Sequence, residues 1–168
     1  MFKNPFTIAI ALTAAGAVPF FVLAALVLLD PVTSPIDIQV LISYGAVILS
    51  FLGAVHWGFA LRDTAHPVNG TPLPPAVLGA ERQLLVFGVV PAIIGWVALS
   101  LVLYLSLPAL GLFLLLVGFL VTIAAESVGY GRGVVALNYL FLRWCASAVV
   151  VVTLLVVLLA VLTGMRAG

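Results

Sequence analysis

Charge is what this sequence lacks most. Of its 168 residues, 7% are charged and 65% are hydrophobic, whereas a soluble domain carries roughly 25% charged residues. Because so few charges do not cover a water-facing surface, most of the chain must face lipid. The net charge of +1 provides no basic stripe, so nucleic acid is excluded as a partner.

Cysteine and histidine are also scarce. The single Cys145 excludes an intrachain disulfide framework and a cysteine-rich zinc site. Haem held by two histidines would need His56 and His66, but His56 lies in a predicted helix and His66 in the loop that follows it. We expect no metal and no cofactor. The chain has no Ser-Lys pair, paired aspartates or His-Glu-Xaa-Xaa-His motif, so we predict that it is not an enzyme.

Long apolar runs take the place of the missing polar residues. A helix needs about 20 such residues to cross a bilayer and satisfies its own backbone hydrogen bonds there, whereas barrel strands would alternate over about 10. The first run exceeds the apolar core of a signal peptide, about 7–15 residues, and is interpreted as a retained helix. The sequence predicts an all-α, polytopic membrane helix bundle, one domain over residues 1–168, with five transmembrane helices at about residues 6–29, 38–61, 84–105, 109–125 and 135–163.

The segments between the runs are short, with one exception. Two prolines between Asp30 and Asp37 predict a tight, helix-capping turn, and Ser106 to Pro108 predicts a hairpin. The prolines between Arg62 and Arg82 favour an irregular surface loop. Ser127 to Gly133 is expected to be a glycine-rich turn, and it follows no strand that would favour a phosphate-binding loop.

The basic residues are distributed asymmetrically about these spans. Five helices place the two termini on opposite sides, and the side richer in Lys and Arg is the inner one. Only Arg166 lies on the C-terminal side, so we predict an N-terminus inside and a C-terminus outside. The residues on the other side are Lys3, Arg62, Arg82, Arg132 and Arg143.

The second helix, from Ser43 to Arg62, is rich in small residues. Small side chains let helix backbones approach closely in lipid, and Gly45, Gly53 and Gly58 are predicted to be helix-packing positions. We therefore expect this helix to be the centre of the bundle, wrapped by the others.

His56 lies on the same helix, within the inner half of the membrane. An ionisable side chain at that depth is a functional hypothesis by default, and histidine titrates near neutral pH. Two interpretations stay open here: a neutral histidine bonded to a neighbouring helix, and a functional group.

Glu126 ends the fourth span, and Arg143 lies about two turns inside the fifth. An ion pair between them would remove two costly lone charges. The pair suits a structural clamp, with arginine extending toward the head groups, or a polar pocket open to the inner side. Trp57 and Trp144, beside these residues, suit an aromatic belt or the walls of that pocket. The candidate polar pocket or packing motif comprises His56, Trp57, Glu126 and Arg143.

These motifs resemble the transmembrane protein 69-like family, a domain of unknown function in proteobacteria and mitochondria. The resemblance covers nearly the whole chain and is most specific in the second helix. The usual Pro-Xaa-Trp-Tyr before the arginine is replaced by Leu137-Asn138-Tyr139. The resemblance implies a multi-pass protein of the bacterial inner (cytoplasmic) membrane and implies no activity. The matching residues are Tyr44, Gly45, Phe51, Gly53, His56, Trp57, Gly58, Pro91, Trp96, Glu126, Leu142 and Arg143.

Two functions suit these features. The preferred hypothesis is a non-enzymatic accessory, assembly or scaffolding subunit, with the lipid bilayer and other membrane proteins or further copies of itself as partners. The alternative is a small solute or proton-coupled carrier that uses His56, Glu126 and Arg143. A conduit would need polar groups at several depths, whereas the polar residues here collect at one side.

Overall fold

The computed structural model describes residues 5–30, 34–64, 75–131 and 137–164, and all regular structure in these ranges is α-helical. Each helix contains a stretch long and apolar enough to cross a membrane. The prediction of an all-α bundle with five membrane-spanning helices is confirmed. The helices are α1 (Pro5–Leu29), α2 (Ser34–Thr64), α3 (Pro75–Leu105), α4 (Pro108–Gly131) and α5 (Leu137–Thr163).

Three helices differ in extent from the predicted spans. Helix α2 begins at Ser34 instead of residue 38, and α3 begins at Pro75, inside the segment expected to be an irregular loop. Proline suits the first position of a helix, because its missing N–H would have no partner there. No further proline follows before Pro91, so the helix propagates. The rest of the expected loop, including His66, lies outside the described residues.

Helix α4 also runs further than expected. Ser127 to Gly131 is its last part, although the glycines predicted a turn from Ser127 onward. Residues 132–136, including Arg132, lie outside the described ranges. The helical backbone of α4 therefore continues past residue 125, the predicted end of its apolar run.

Two helices share the centre of the bundle. Helix α2 packs against α1, α3 and α4, and α4 packs against α2, α3 and α5, while α1 closes the ring on α5. Within the described residues, no Cα atom of α2 lies within 8 Å of a Cα atom of α5. The expectation that α2 is wrapped by all the others is therefore wrong: it shares the central position with α4. We call the end at which α1 begins the N-terminal end of the bundle.

The core is built from interlocking aromatic and aliphatic side chains. Phe20 of α1 is 1% exposed and meets Tyr44 and Phe119 edge-on, at ring distances of 5.0 and 6.3 Å. The Tyr44 hydroxyl donates to the carbonyl of Gly16 at 2.8 Å. Because lipid is as apolar as the core, such packing and hydrogen bonding hold membrane helices together in place of a hydrophobic driving force.

The predicted hairpin between α3 and α4 is confirmed. Leu107 N–H donates to the Leu101 carbonyl at 3.1 Å across the end of α3. Ser106, between them, has a φ of 53°, the left-handed conformation that glycine adopts most easily at a helix C-terminus.

Replacing Ser106 with glycine is expected to raise the free energy of unfolding by about 1 kcal/mol, because it removes the Cβ that disfavours this φ. The measurement is reversible unfolding in mixed detergent–dodecyl sulfate micelles, followed by far-ultraviolet circular dichroism. Ser106→Val should have the opposite sign, and equal stability of the two variants would contradict the assignment.

Candidate functional site

A buried ion pair joins α4 to α5 near the N-terminal end of the bundle. Arg143 Nη2 donates to Glu126 Oε1 at 2.7 Å, and Arg143 Nε donates to Oε1 at 2.9 Å and to Oε2 at 3.1 Å. The Glu126 side chain is 1% exposed and that of Arg143 is 11% exposed. The ion pair expected from the sequence is present, and its short, charge-assisted hydrogen bonds compensate the burial of both groups.

His56 is buried within α2, and one ring nitrogen is unpartnered. Nδ1 lies 3.3 Å from the carbonyl oxygen of Gly53, one turn earlier. The residue is 4% exposed, and Nε2 is fully buried with no hydrogen-bond partner among the described residues. A buried ring nitrogen without a partner is an unfavourable arrangement, so His56 stands out chemically in this helix.

Helix packing brings His56 level with the ion pair. Helices α2 and α4 run in the same direction: a Cβ at Gly45 would lie 2.8 Å from Leu115 Cδ1, and Leu49 lies against Gly118. Continuing this offset by two turns places His56 level with Glu126. The described structure contains no hydrogen bond between them, so they share a level of the bundle without forming a pair.

Trp57 has a packing role between α2 and α3. Its Nε1 donates to the Leu85 carbonyl at 3.0 Å, and its ring occupies the space where a Cβ at Gly88 would lie. One edge faces outward, and the residue is 45% exposed. Trp144 on α5 is similarly exposed. The structure thus places Trp57 in a contact between α2 and α3, and its assignment to an aromatic belt or to a pocket wall stays a prediction.

The three predicted packing glycines differ from one another. A Cβ on Gly45 would press on Leu115, and one on Gly53 would collide with the backbone oxygen of Gly88. Gly58 is exposed, and a Cβ there would meet nothing within 4 Å among the described residues. The face of α2 that carries Gly58 points outward, so its predicted role in helix packing has no contact among the described residues and stays a prediction.

Glu81 is a buried acidic residue that was not among the candidate site residues. It lies in the second turn of α3 and is 9% exposed. A signal was available in its spacing, because Glu81, Gly88 and Gly95 recur every seven residues, and both glycines face α2. Residues seven apart share one face of a helix, so this pattern predicts that Glu81 faces α2.

A half-open cleft lies beside the ion pair, between α1, α2 and α5. Its volume is about 370 Å³. It is lined by one face each of α1, α2 and α5, with one residue of α4 behind: Ala9, Leu12, Thr13, Gly16, Ala17 and Phe20; Ile48, Phe51, Leu52 and Val55; Leu142, Arg143, Ala146, Ser147 and Val150; and Phe119. Of the candidate residues, Arg143 alone lines it. The described residues contain no group of three His, Cys, Asp or Glu side chains placed to hold a metal ion.

Replacing His56 with leucine is expected to raise the free energy of unfolding by about 1 kcal/mol, because it removes a buried nitrogen that has no partner. His56→Ala is the control: it leaves a cavity and should lower the same free energy by about 2 kcal/mol. Unfolding in mixed micelles measures both. A destabilised leucine variant would show that Nε2 has a partner in the membrane.

The chain resembles known proteins over most of its length. A model of a protein family, described as "Protein of unknown function (DUF3429)", matches residues 6–159. No solved structure matches the chain. The family match spans all five helices and carries no assigned activity.

Proposed function

Because the chain belongs to the family described as "Protein of unknown function (DUF3429)", we propose its function from its own residues: it is a non-enzymatic accessory, assembly or scaffolding subunit of a larger membrane complex. Within that family we propose a closer kinship with transmembrane protein 69-like proteins, supported by the Tyr44-Gly45 and His56-Trp57-Gly58 motifs.

A stripe of small residues on the outward face of α2 carries the proposal. Ser50, Ala54 and Gly58 recur every fourth residue, and Ala54 and Gly58 are exposed. Small residues at this spacing let a second transmembrane helix approach until the backbones are in contact. The described part of the chain leaves the space over Gly58 empty. We call these three residues the α2 stripe and assign it to a helix of a partner protein.

The flanks of the α2 stripe suit such a contact. Phe51 is 66% exposed on one side, and Trp57 is 45% exposed on the other. The Ser50 hydroxyl already donates to the Ala46 carbonyl at 2.7 Å, so close approach of a helix would leave no donor unpaired. Large side chains beside a small-residue groove supply contact area for a helix seated in it.

Purification in a mild detergent, followed by mass spectrometry of the co-purifying proteins, tests the proposal. Wild-type protein should retain a membrane protein in near-stoichiometric amount, and Gly58→Leu should reduce that amount about tenfold or more, because leucine blocks backbone contact. Ala148→Leu, which adds the same side chain to an exposed position of α5, should leave it unchanged. A dimer that Gly58→Leu dissociates would identify a second copy as the partner, and a lone wild-type monomer would refute the proposal.

A small solute or proton-coupled carrier is the second candidate. The buried, unpartnered Nε2 of His56, level with Glu126, favours it, because ionisable groups inside membranes mark transport pathways. The flux of protons or solute across the membrane of liposomes that contain the protein should then fall in the His56→Leu and Glu126→Gln variants. Unchanged flux in the leucine variant would eliminate the carrier.

For location we propose the bacterial inner (cytoplasmic) membrane with the N-terminus inside. The excess of Lys and Arg in segments on the N-terminal side supports this orientation. Protease protection of tags in spheroplasts tests it: a tag at the C-terminus should be cleaved from outside, and a tag at the N-terminus should survive until lysis.

A further inference from the structure

The cleft between α1, α2 and α5 has the size and depth of a site for one lipid chain. Its volume of about 370 Å³ lies in the range of small-molecule sites, roughly 300–1,000 Å³. Along α1 it extends from Ala9 to Phe20, about 16 Å at about 1.5 Å per residue. This is half of the hydrocarbon core, which is about 30 Å thick. The cleft thus spans the depth that an acyl chain of one leaflet occupies.

Among the described residues, three polar ones line the cleft: Thr13, Arg143 and Ser147. Arg143 and Ser147 lie one turn apart on the same face of α5. Arg143 is about one turn inside the membrane-spanning stretch, which begins at Leu140. Arg143 is therefore near the boundary of the hydrocarbon region, where the ester groups of glycerolipids lie, and Thr13 and Ser147 lie about one turn deeper.

The two hydroxyls in the cleft, like that of Ser34 at the start of α2, differ from most others in the bundle. Seven helical serine and threonine hydroxyls each donate to the carbonyl four residues earlier. Thr13 and Ser147 donate to no described residue, although Ser147 is only 4% exposed. Donors in an apolar site seek an acceptor, so these two hydroxyls indicate an occupant that carries an oxygen acceptor.

The charge of the site indicates which kind of acceptor. Glu126 neutralises Arg143 through three hydrogen bonds, so the ion pair presents no net charge to the cleft. An uncharged carbonyl oxygen suits this end of the cleft better than a phosphate, which would lie beside the Glu126 carboxylate. We propose that the cleft binds one acyl chain of a glycerophospholipid, with its ester carbonyl at Thr13, Arg143 and Ser147.

The test uses full-length protein reconstituted in vesicles of palmitoyl-oleoyl phosphatidylethanolamine and phosphatidylglycerol, extracted in mild detergent and weighed by native mass spectrometry. Wild type should retain one phospholipid. Ala146→Leu, which fills the cleft, should reduce lipid retention about tenfold, because it removes the contact of about two methylene groups of the acyl chain. Ser147→Ala should reduce it about fivefold, the effect of one hydrogen bond. Ala148→Leu, on the exposed face, should retain lipid like the wild type.

A second arm uses wild-type protein alone and so does not depend on the folding of any variant. Ether-linked phospholipids with the same head groups and chains lack the ester carbonyl, and their retention should be about fivefold lower. Equal retention of ether and ester lipids would overturn the carbonyl contact. Equal retention by Ala146→Leu and wild type would show that the retained lipid is bulk lipid outside the cleft, and would overturn the proposal. Displacement of the phospholipid when ubiquinone is added to the vesicles would assign the cleft to a quinone and overturn the proposal.

Discussion

Replacing Glu126 with glutamine is expected to lower the free energy of unfolding by about 3–5 kcal/mol, the largest effect of any single substitution proposed for this protein. The substitution leaves the Arg143 guanidinium, 11% exposed, among apolar helices without its counter-charge, and an uncompensated buried charge is the costly outcome of breaking such a pair. Arg143→Met should have a comparable effect, because it leaves the Glu126 carboxylate unpaired.

Removing both charges together is expected to restore most of the stability. The double variant Glu126→Leu with Arg143→Met should lie within about 1 kcal/mol of the wild type, because an apolar pair of similar volume replaces a buried ion pair at little net change. Mixed-micelle unfolding of the four proteins gives the coupling energy. Ser127→Ala, on the same turn of α4, is the control and should change stability by about 0.5 kcal/mol at most. Independent, additive effects of the two single changes would contradict the pairing.

Replacing Gly53 with alanine is expected to lower the free energy of unfolding by about 2–3 kcal/mol. The new Cβ would collide with the backbone oxygen of Gly88 and touch the Pro91 ring. A backbone atom of a packed helix does not move aside as the end of a side chain does, so α2 and α3 must separate. Trp57 donates a hydrogen bond to the Leu85 carbonyl across this interface. The fluorescence emission of Trp57 should therefore shift when the two helices separate.

Gly58 provides the matched control on the same helix. Gly58→Ala adds the same methyl group where nothing lies within 4 Å among the described residues. Alanine is favoured over glycine inside a helix by about 1 kcal/mol, so this variant should be as stable as the wild type or more stable. Equal destabilisation by the two substitutions would mean that Gly58 also packs inside the chain.

The two proposals predict separate outcomes for separate substitutions, although Phe51 lies at the edge of both surfaces. The α2 stripe concerns partner proteins and is tested at Gly58, whereas the lipid cleft is tested at Ala146 and Ser147. A variant of one surface should leave the other readout unchanged. The His56→Leu variant tests neither surface. It tests the carrier alternative, in which a buried histidine that lowers the stability of the fold is needed for transport.

Features that depend on residues close together in sequence were predictable, and those that depend on contacts between distant helices were not. Apolar runs of about 20 residues determine a membrane helix locally, so the five helices were predictable. The Glu126–Arg143 pair was also predictable, because a short connection makes α4 and α5 antiparallel neighbours. Where α3 starts was not: the prolines indicated a loop, yet Pro75 suits the first position of a helix.

What the sequence by itself determined is the class of the protein and the level at which its polar groups lie: a five-helix membrane bundle with His56, Glu126 and Arg143 toward one end. Only the tertiary structure decided which glycine is in contact, that Trp57 joins α2 to α3, and that a cleft opens beside Arg143. Apart from a few polar residues, these helices are apolar on all sides, so hydrophobicity does not distinguish the face that packs from the face that meets lipid. The fit between the surfaces of neighbouring helices determines which face is buried, and that fit exists only in the assembled bundle.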